Sequence, residues 1–95
     1  MANKYEMIVI LSPALGEEGI ASTTEVVKAK LETAATIESL ETIGMKRLAY
    51  EINDQKEGYY LQFNFTSGPD FPKEIERVLK ITEGVLRYLV IRENE

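Results

Sequence analysis

Between Lys4 and Leu11 apolar side chains occupy both parities, Tyr5, Met7, Val9 and Leu11 on one and Ile8 and Ile10 on the other. Such a run predicts a central strand with both faces at least partly covered. Ser12-Pro13 stops it, and Glu17-Glu18 supply acid at the start of a helix. In that helix Ile20, Thr24, Val27, Leu31 and Ala34 recur at helical spacing, with Lys28 and Lys30 toward the C-terminal end. From Thr36 to Ile52 the pattern is extended again, but Ile37 and Ile43 fall on odd positions and Leu48, Tyr50 and Ile52 on even ones. A bulge or bend near Gly44 would reverse the facing in this way. A polar turn, Asn53 to Gly58, leads into the clearest strand, Tyr59 to Thr66, where Leu61, Phe63 and Phe65 alternate with Tyr60, Gln62 and Asn64. These two strands are expected to pair as a hairpin. Ser67 to Asp70 breaks the second, Ile75, Val78, Leu79 and Thr82 return to helical spacing up to Gly84, and Val85 to Arg92 is the last strand.

The order β-α-β-β-α-β is that of the split βαβ, or ferredoxin-like, arrangement in the α+β class, with four antiparallel strands and both helices on one face. One domain over residues 1–95 accommodates it. Met7, Val9, Leu61, Phe63 and Phe65 are expected on the core face, and Ile8, Ile10, Tyr60, Gln62 and Asn64 on the face the helices leave open. For the last strand both parities are equally apolar, so its facing stays open at this level.

Composition changes the picture mainly by exclusion. The chain has no Cys and no His, which removes disulfides, thiolate metal sites, the cysteine nucleophile and the commonest general base. Residues 1–6 carry no signal-like apolar stretch, and the longest apolar run, Met7 to Leu11, is too short to span a bilayer, so a cytoplasmic protein is expected. The six Gly are scattered at positions 16, 19, 44, 58, 68 and 84, which fits no phosphate-binding loop. Acyl-phosphate hydrolysis on this fold would need a cationic loop after the first strand, and Ser12 to Glu17 contains no base. Neither a cofactor nor a small-molecule substrate is expected.

The formal net charge of −5 argues against nucleic acid on its face, since affinity for a phosphate backbone comes from Lys and Arg. Its distribution is less discouraging: eight of the 11 bases, including every Arg, lie in residues 46–95. In this arrangement the first strand commonly lies beside the last, which would let Lys4, Arg87 and Arg92 gather on one side. Such a group would either bind phosphate through the Arg forks or pair with the abundant Glu. Gly58-Tyr59-Tyr60-Leu61-Gln62-Phe63 lacks the basic-aromatic pattern of a base-stacking RNA-recognition strand.

Four strings, Lys4-Tyr5-Glu6, Gly44-Met45-Lys46-Arg47-Leu48-Ala49-Tyr50-Glu51-Ile52, Gly58-Tyr59-Tyr60 and Val85-Leu86-Arg87-Tyr88-Leu89-Val90-Ile91-Arg92, resemble one family in order and register: the sixth protein of the bacterial small ribosomal subunit. The resemblance spans nearly the whole chain and implies a ferredoxin-like fold without enzymatic activity. It further implies binding to the central domain of small-subunit ribosomal RNA as a heterodimer with ribosomal protein eighteen. A basic partner would account for the acidic balance here. Carried over by position, the RNA-contacting candidates are Lys4, Tyr5, Lys46, Arg47, Arg87 and Arg92, with Arg87 foremost. Candidates for the protein partner are Ile8, Ile10, Leu48, Tyr50, Tyr60 and Leu89. Glu51 stands where many members have Pro, and Thr82 and Leu86 where some relatives are basic, so a smaller RNA footprint is expected. A ligand-sensing regulatory domain is the alternative that the same architecture would allow.

Overall fold

A computed structural model describes residues 3–52 and 55–93. Strand β1 spans Asn3–Leu11, a 3₁₀ turn Pro13–Leu15, helix α1 Gly16–Glu32, β2 Ala35–Ile52, β3 Gln55–Ser67, α2 Phe71–Ile81 and β4 Val85–Arg92. The expected element order holds. The strands form one antiparallel sheet in the order β2-β3-β1-β4, so the two strands richest in buried side chains take the centre.

Each boundary has a local cause. The Ser12 hydroxyl accepts a hydrogen bond from the Ala14 amide at 3.1 Å, and Pro13 presets the backbone of the 3₁₀ turn. Helix α1 ends at Glu32, two residues short of the expected Ala34: the Thr33 hydroxyl donates to the Lys30 carbonyl at 2.6 Å, and Ala34 lies in the following turn. Pro72 sits in the first turn of α2, where its missing N–H costs nothing. Strand β3 begins at Gln55, four residues ahead of the expected Tyr59, so most of the polar segment after Ile52 is strand; Asn53 and Asp54 lie outside the described residues.

The core lies between the helices and one face of the sheet. Met7, Val9 and Leu11 of β1, with Leu61, Phe63 and Phe65 of β3, meet Ile20, Val27 and Leu31 of α1 and Ile75 and Leu79 of α2. Tyr5 joins them, its ring stacked on Phe65 at 5.5 Å between centroids, and Phe71 meets Phe65 edge-on at 6.2 Å. The alternation read for β1 and β3 is therefore the true core pattern. It also explains why α1 needs only three buried residues: the central strands supply the rest of the apolar surface.

Strand β2 departs from a regular ladder. Its pairing with β3 slips between Ile37 and Ser39 and again between Thr42 and Gly44, where Gly44 adopts φ +100°. The bulge expected near Gly44 is present, and a second one at Glu38 had no signal in the sequence. The ladder is interrupted once more between Arg47 and Ile52. There the end of the β2–β3 hairpin bends across the end of the sheet on the helix-free side, laying Leu48 on Ile10 and carrying Tyr50 to Arg87 of β4 at the opposite edge.

Gly58 makes this bend possible. A Cβ at that position would sit 2.3 Å from Ile10 Cγ2 and 3.3 Å from Leu48 Cδ2. Gly58→Ala is expected to push Leu48 off Ile10 and cost about 1–3 kcal/mol, as overpacking of a filled site does. Urea unfolding checks this: the midpoint should fall with the slope unchanged. An unaltered midpoint would mean that the bend is not packed.

Candidate nucleic-acid interface

Residues opposite one another in the ladder share a face, so the register assigns every candidate except Leu48 and Tyr50, which fall in the interrupted stretch of β2. Ile8 pairs with Gln62 and Leu89, Ile10 with Tyr60 and Arg87, and Glu6 with Asn64 and Ile91, all on the helix-free side. Tyr5 pairs with Arg92, Met7 with Val90 and Val9 with Tyr88 on the core side. Strand β4 is thus resolved: Arg87, Leu89 and Ile91 face outward, with an irregularity at Leu86 that sequence parity alone could not reveal.

The expected gathering of Lys4, Arg87 and Arg92 does not occur. Arg87 lies beside Ile10, six residues along β1 from Lys4, or about 20 Å at strand rise. Arg92 is at the Lys4 end but on the opposite face, where its guanidinium donates to Asn3 Oδ1 at 3.3 Å. Tyr5 is 6% exposed and its ring is committed to the core, so it offers no surface for stacking. The alternation that makes β1 a good core strand is the reason: Tyr5 shares parity with Met7 and Val9.

A different set of bases lies at the other end of the sheet, spread over both of its faces. Lys46 pairs with Gly58 on the helix-free face and Arg47 with Glu57 on the reverse side of the same edge. Arg47, Lys56 and Glu51 line a shallow cavity of about 210 Å³ with Leu48, Ala49 and Tyr50 at the bent hairpin end. Arg87 completes the group from β4, its Nη1 donating to the Tyr50 hydroxyl. Lys56 was missed because it reads as a turn residue, whereas it is the second residue of β3 and lines the cavity with the bent end of β2. The ion pairs among the described residues use other bases. Lys30 and Arg77 both engage Glu74, whose carboxyl the Arg77 hydrogen bond holds below the usual carboxylate range. Lys46, Arg47, Lys56 and Arg87 have no ion pair among the described residues.

The helix-free face divides into two unlike halves. Over β2 and β3 it is polar and satisfied within itself: Asn64 Nδ2 donates to Ser39 Oγ at 2.9 Å and Thr66 to Glu38 at 3.0 Å. Over β1 and β4 its centre is apolar, with Leu89 50% and Ile91 45% exposed beside the half-buried Ile8, and it is flanked by Glu6 opposite Ile91 and by Arg87 beside Ile10. Two of the expected partner-facing residues are already covered. Ile10 and Leu48 are each 8% exposed, because they bury one another under the hairpin end. Tyr60 is half-buried, and Tyr50 is exposed and engaged with Arg87.

The fold is that of the ferredoxin-like α+β proteins. A chemotaxis kinase CheA P2 domain from Thermotoga maritima, 16% identical with a TM-score of 0.61, shares this architecture and nothing narrower. The crystal structure of 30S ribosomal protein S6 from the same organism covers 98% of this chain and 89% of its own, with a TM-score of 0.93 and 28% identity. The profile of the ribosomal protein S6 family matches residues 4–92. The small ribosomal subunit protein bS6 of Clostridium botulinum is 43% identical over 89 residues, 93% of this chain and 95% of that protein. The corresponding protein of Clostridium beijerinckii is 40% identical over 91 residues, 95% and 96% of the two chains. The molecule is therefore a ribosomal protein of structural and not enzymatic type, and the chain belongs to the ribosomal protein S6 family. Its place is the small subunit of the ribosome in the cytoplasm, which sets aside the ligand-sensing alternative.

Proposed function

We propose that within the small subunit this chain binds the central domain of the ribosomal RNA as a heterodimer with ribosomal protein eighteen, as the family resemblance implies. The observation that carries this reading is the division of the helix-free face. Its β1–β4 half leaves Leu89 and Ile91 exposed, and the hairpin end beside it holds bases without carboxylate partners among the described residues. The protein partner covers Ile8, Leu89 and Ile91, while Arg87, Lys46, Arg47 and Lys56 meet phosphate. Lys4 and Arg92, at the far end, are contacts of a second RNA segment. A basic partner offsets the acidic total, so that the pair presents RNA with a positive surface this chain lacks alone. Recognition is of shape and backbone at a junction and not of base edges.

Binding to a central-domain RNA fragment, with and without ribosomal protein eighteen, tests the reading. Tight binding is expected only with the partner. With about six phosphates neutralised by this chain, its share of the affinity should fall on the order of 300–2,000-fold between about 50 and 200 mM salt. Binding by this chain alone would remove the charge argument, and failure under both conditions would remove the reading itself.

A further inference from the structure

We infer that Tyr50 is a positioning residue for phosphate recognition: from the bent end of the β2–β3 hairpin its hydroxyl holds the Arg87 guanidinium in place without neutralising it. The inference rests on the reading of Arg87 as an RNA contact. Arg87 stands on an edge strand, exposed, with no carboxylate within ion-pair distance among the described residues. Its one side-chain hydrogen bond there is from Nη1 to the Tyr50 hydroxyl. A long, exposed arginine left alone samples many rotamers, and ordering it on binding costs affinity.

The chemistry of the tether matters. A carboxylate at this place would fix the guanidinium but cancel the charge that attracts phosphate. A phenol accepts the hydrogen bond while leaving the full positive charge and the remaining N–H donors for a bidentate contact. The phenolic proton is still available to the same phosphate. Tyr50 can act in this way because its own position is fixed from below. Leu48, two residues earlier, is buried against Ile10 over Gly58, which anchors the stretch of β2 that carries Tyr50. The bent end of β2 thus holds a tyrosine from one sheet edge over an arginine of β4 at the other.

The test is a double-mutant cycle on RNA binding by the heterodimer with ribosomal protein eighteen, using Tyr50→Phe, Arg87→Ala and the pair. Phe keeps the ring at an exposed position, so the fold is retained, and thermal unfolding checks it. Tyr50→Phe is expected to weaken RNA binding by roughly 3–10-fold with the salt slope unchanged, since no charge is lost. Arg87→Ala should weaken it further and lower the slope by about one phosphate. In the Arg87→Ala background, Tyr50→Phe should have no added effect. An equal loss in both backgrounds would show Tyr50 acting on RNA or partner directly and overturn the inference. Unchanged or tighter binding of Tyr50→Phe alone would also overturn it. If Arg87→Ala leaves binding intact, the RNA reading of Arg87 fails, and that result is distinguishable from failure of the tether.

Discussion

Phe63→Ala is expected to be the most damaging single substitution in the chain, costing about 3–5 kcal/mol and lowering the midpoint of thermal unfolding on the order of 15–30 °C. Phe63 is fully buried at the centre of β3, paired with Met7 of β1 on one side and Leu40 of β2 on the other. Its ring is a wall of the space shared by both helices, so removing it opens a cavity that no single element can close. Three strands held in register cannot collapse inward without breaking ladder hydrogen bonds elsewhere. Calorimetry checks the size of the effect. A loss below about 1.5 kcal/mol would mean that the helices close over the gap and that packing is looser than the buried aromatic group indicates.

The second large effect belongs to association. Leu89→Asp is expected to leave stability nearly unchanged, because the side chain is half exposed, but to weaken docking of ribosomal protein eighteen at least 30-fold, about 2 kcal/mol. Leu89 pairs across the ladder with Ile8, and Ile91 lies two residues further on the same face, so a carboxylate there is desolvated by any partner that covers the patch. Titration of the two proteins against one another measures it. Retained affinity would place the partner elsewhere on the molecule. Ile10→Asp is a poorer probe of the same face, because Ile10 lies beneath Leu48 and its replacement would unseat the hairpin end.

The β-α-β-β-α-β order and the core were legible in the sequence because they rest on short-range periodicity. The alternation in Tyr59 to Thr66 and the helical spacing after Ser67 each report a local face. The placement of the site was less legible, because it depends on ladder register and on how far a hairpin bends. Tyr5 resembled a surface aromatic only by its neighbour Lys4; its parity with Met7 and Val9 already assigned it to the core. Arg87 and Arg92 are five residues apart and therefore on opposite faces of a regular strand, a fact available from the spacing alone. That Leu48 covers Ile10, and that Tyr50 reaches Arg87, follows from a contact between the two edges of the sheet, and no pattern confined to one segment encodes it. The missing side chain at Gly58 was the one local trace of that contact.

Both edges of the sheet are irregular, β2 at Glu38 and Ile43 and β4 at Leu86, whereas the ladder between the central strands β1 and β3 runs without interruption from Asn3 to Leu11. An extra residue in an outer strand twists it and breaks the even row of backbone donors and acceptors that another chain's strand would need for pairing. In an assembly built from many chains folding close together, this confines the molecule's stickiness. A neighbour's strand meets an interrupted ribbon along β2 and only the short regular stretch Arg87 to Arg92 along β4, and the docking proposed above is side chain to side chain over Ile8, Leu89 and Ile91. A small protein with an open sheet thereby offers a poorer template for indiscriminate strand addition while keeping one broad surface for the proposed companion.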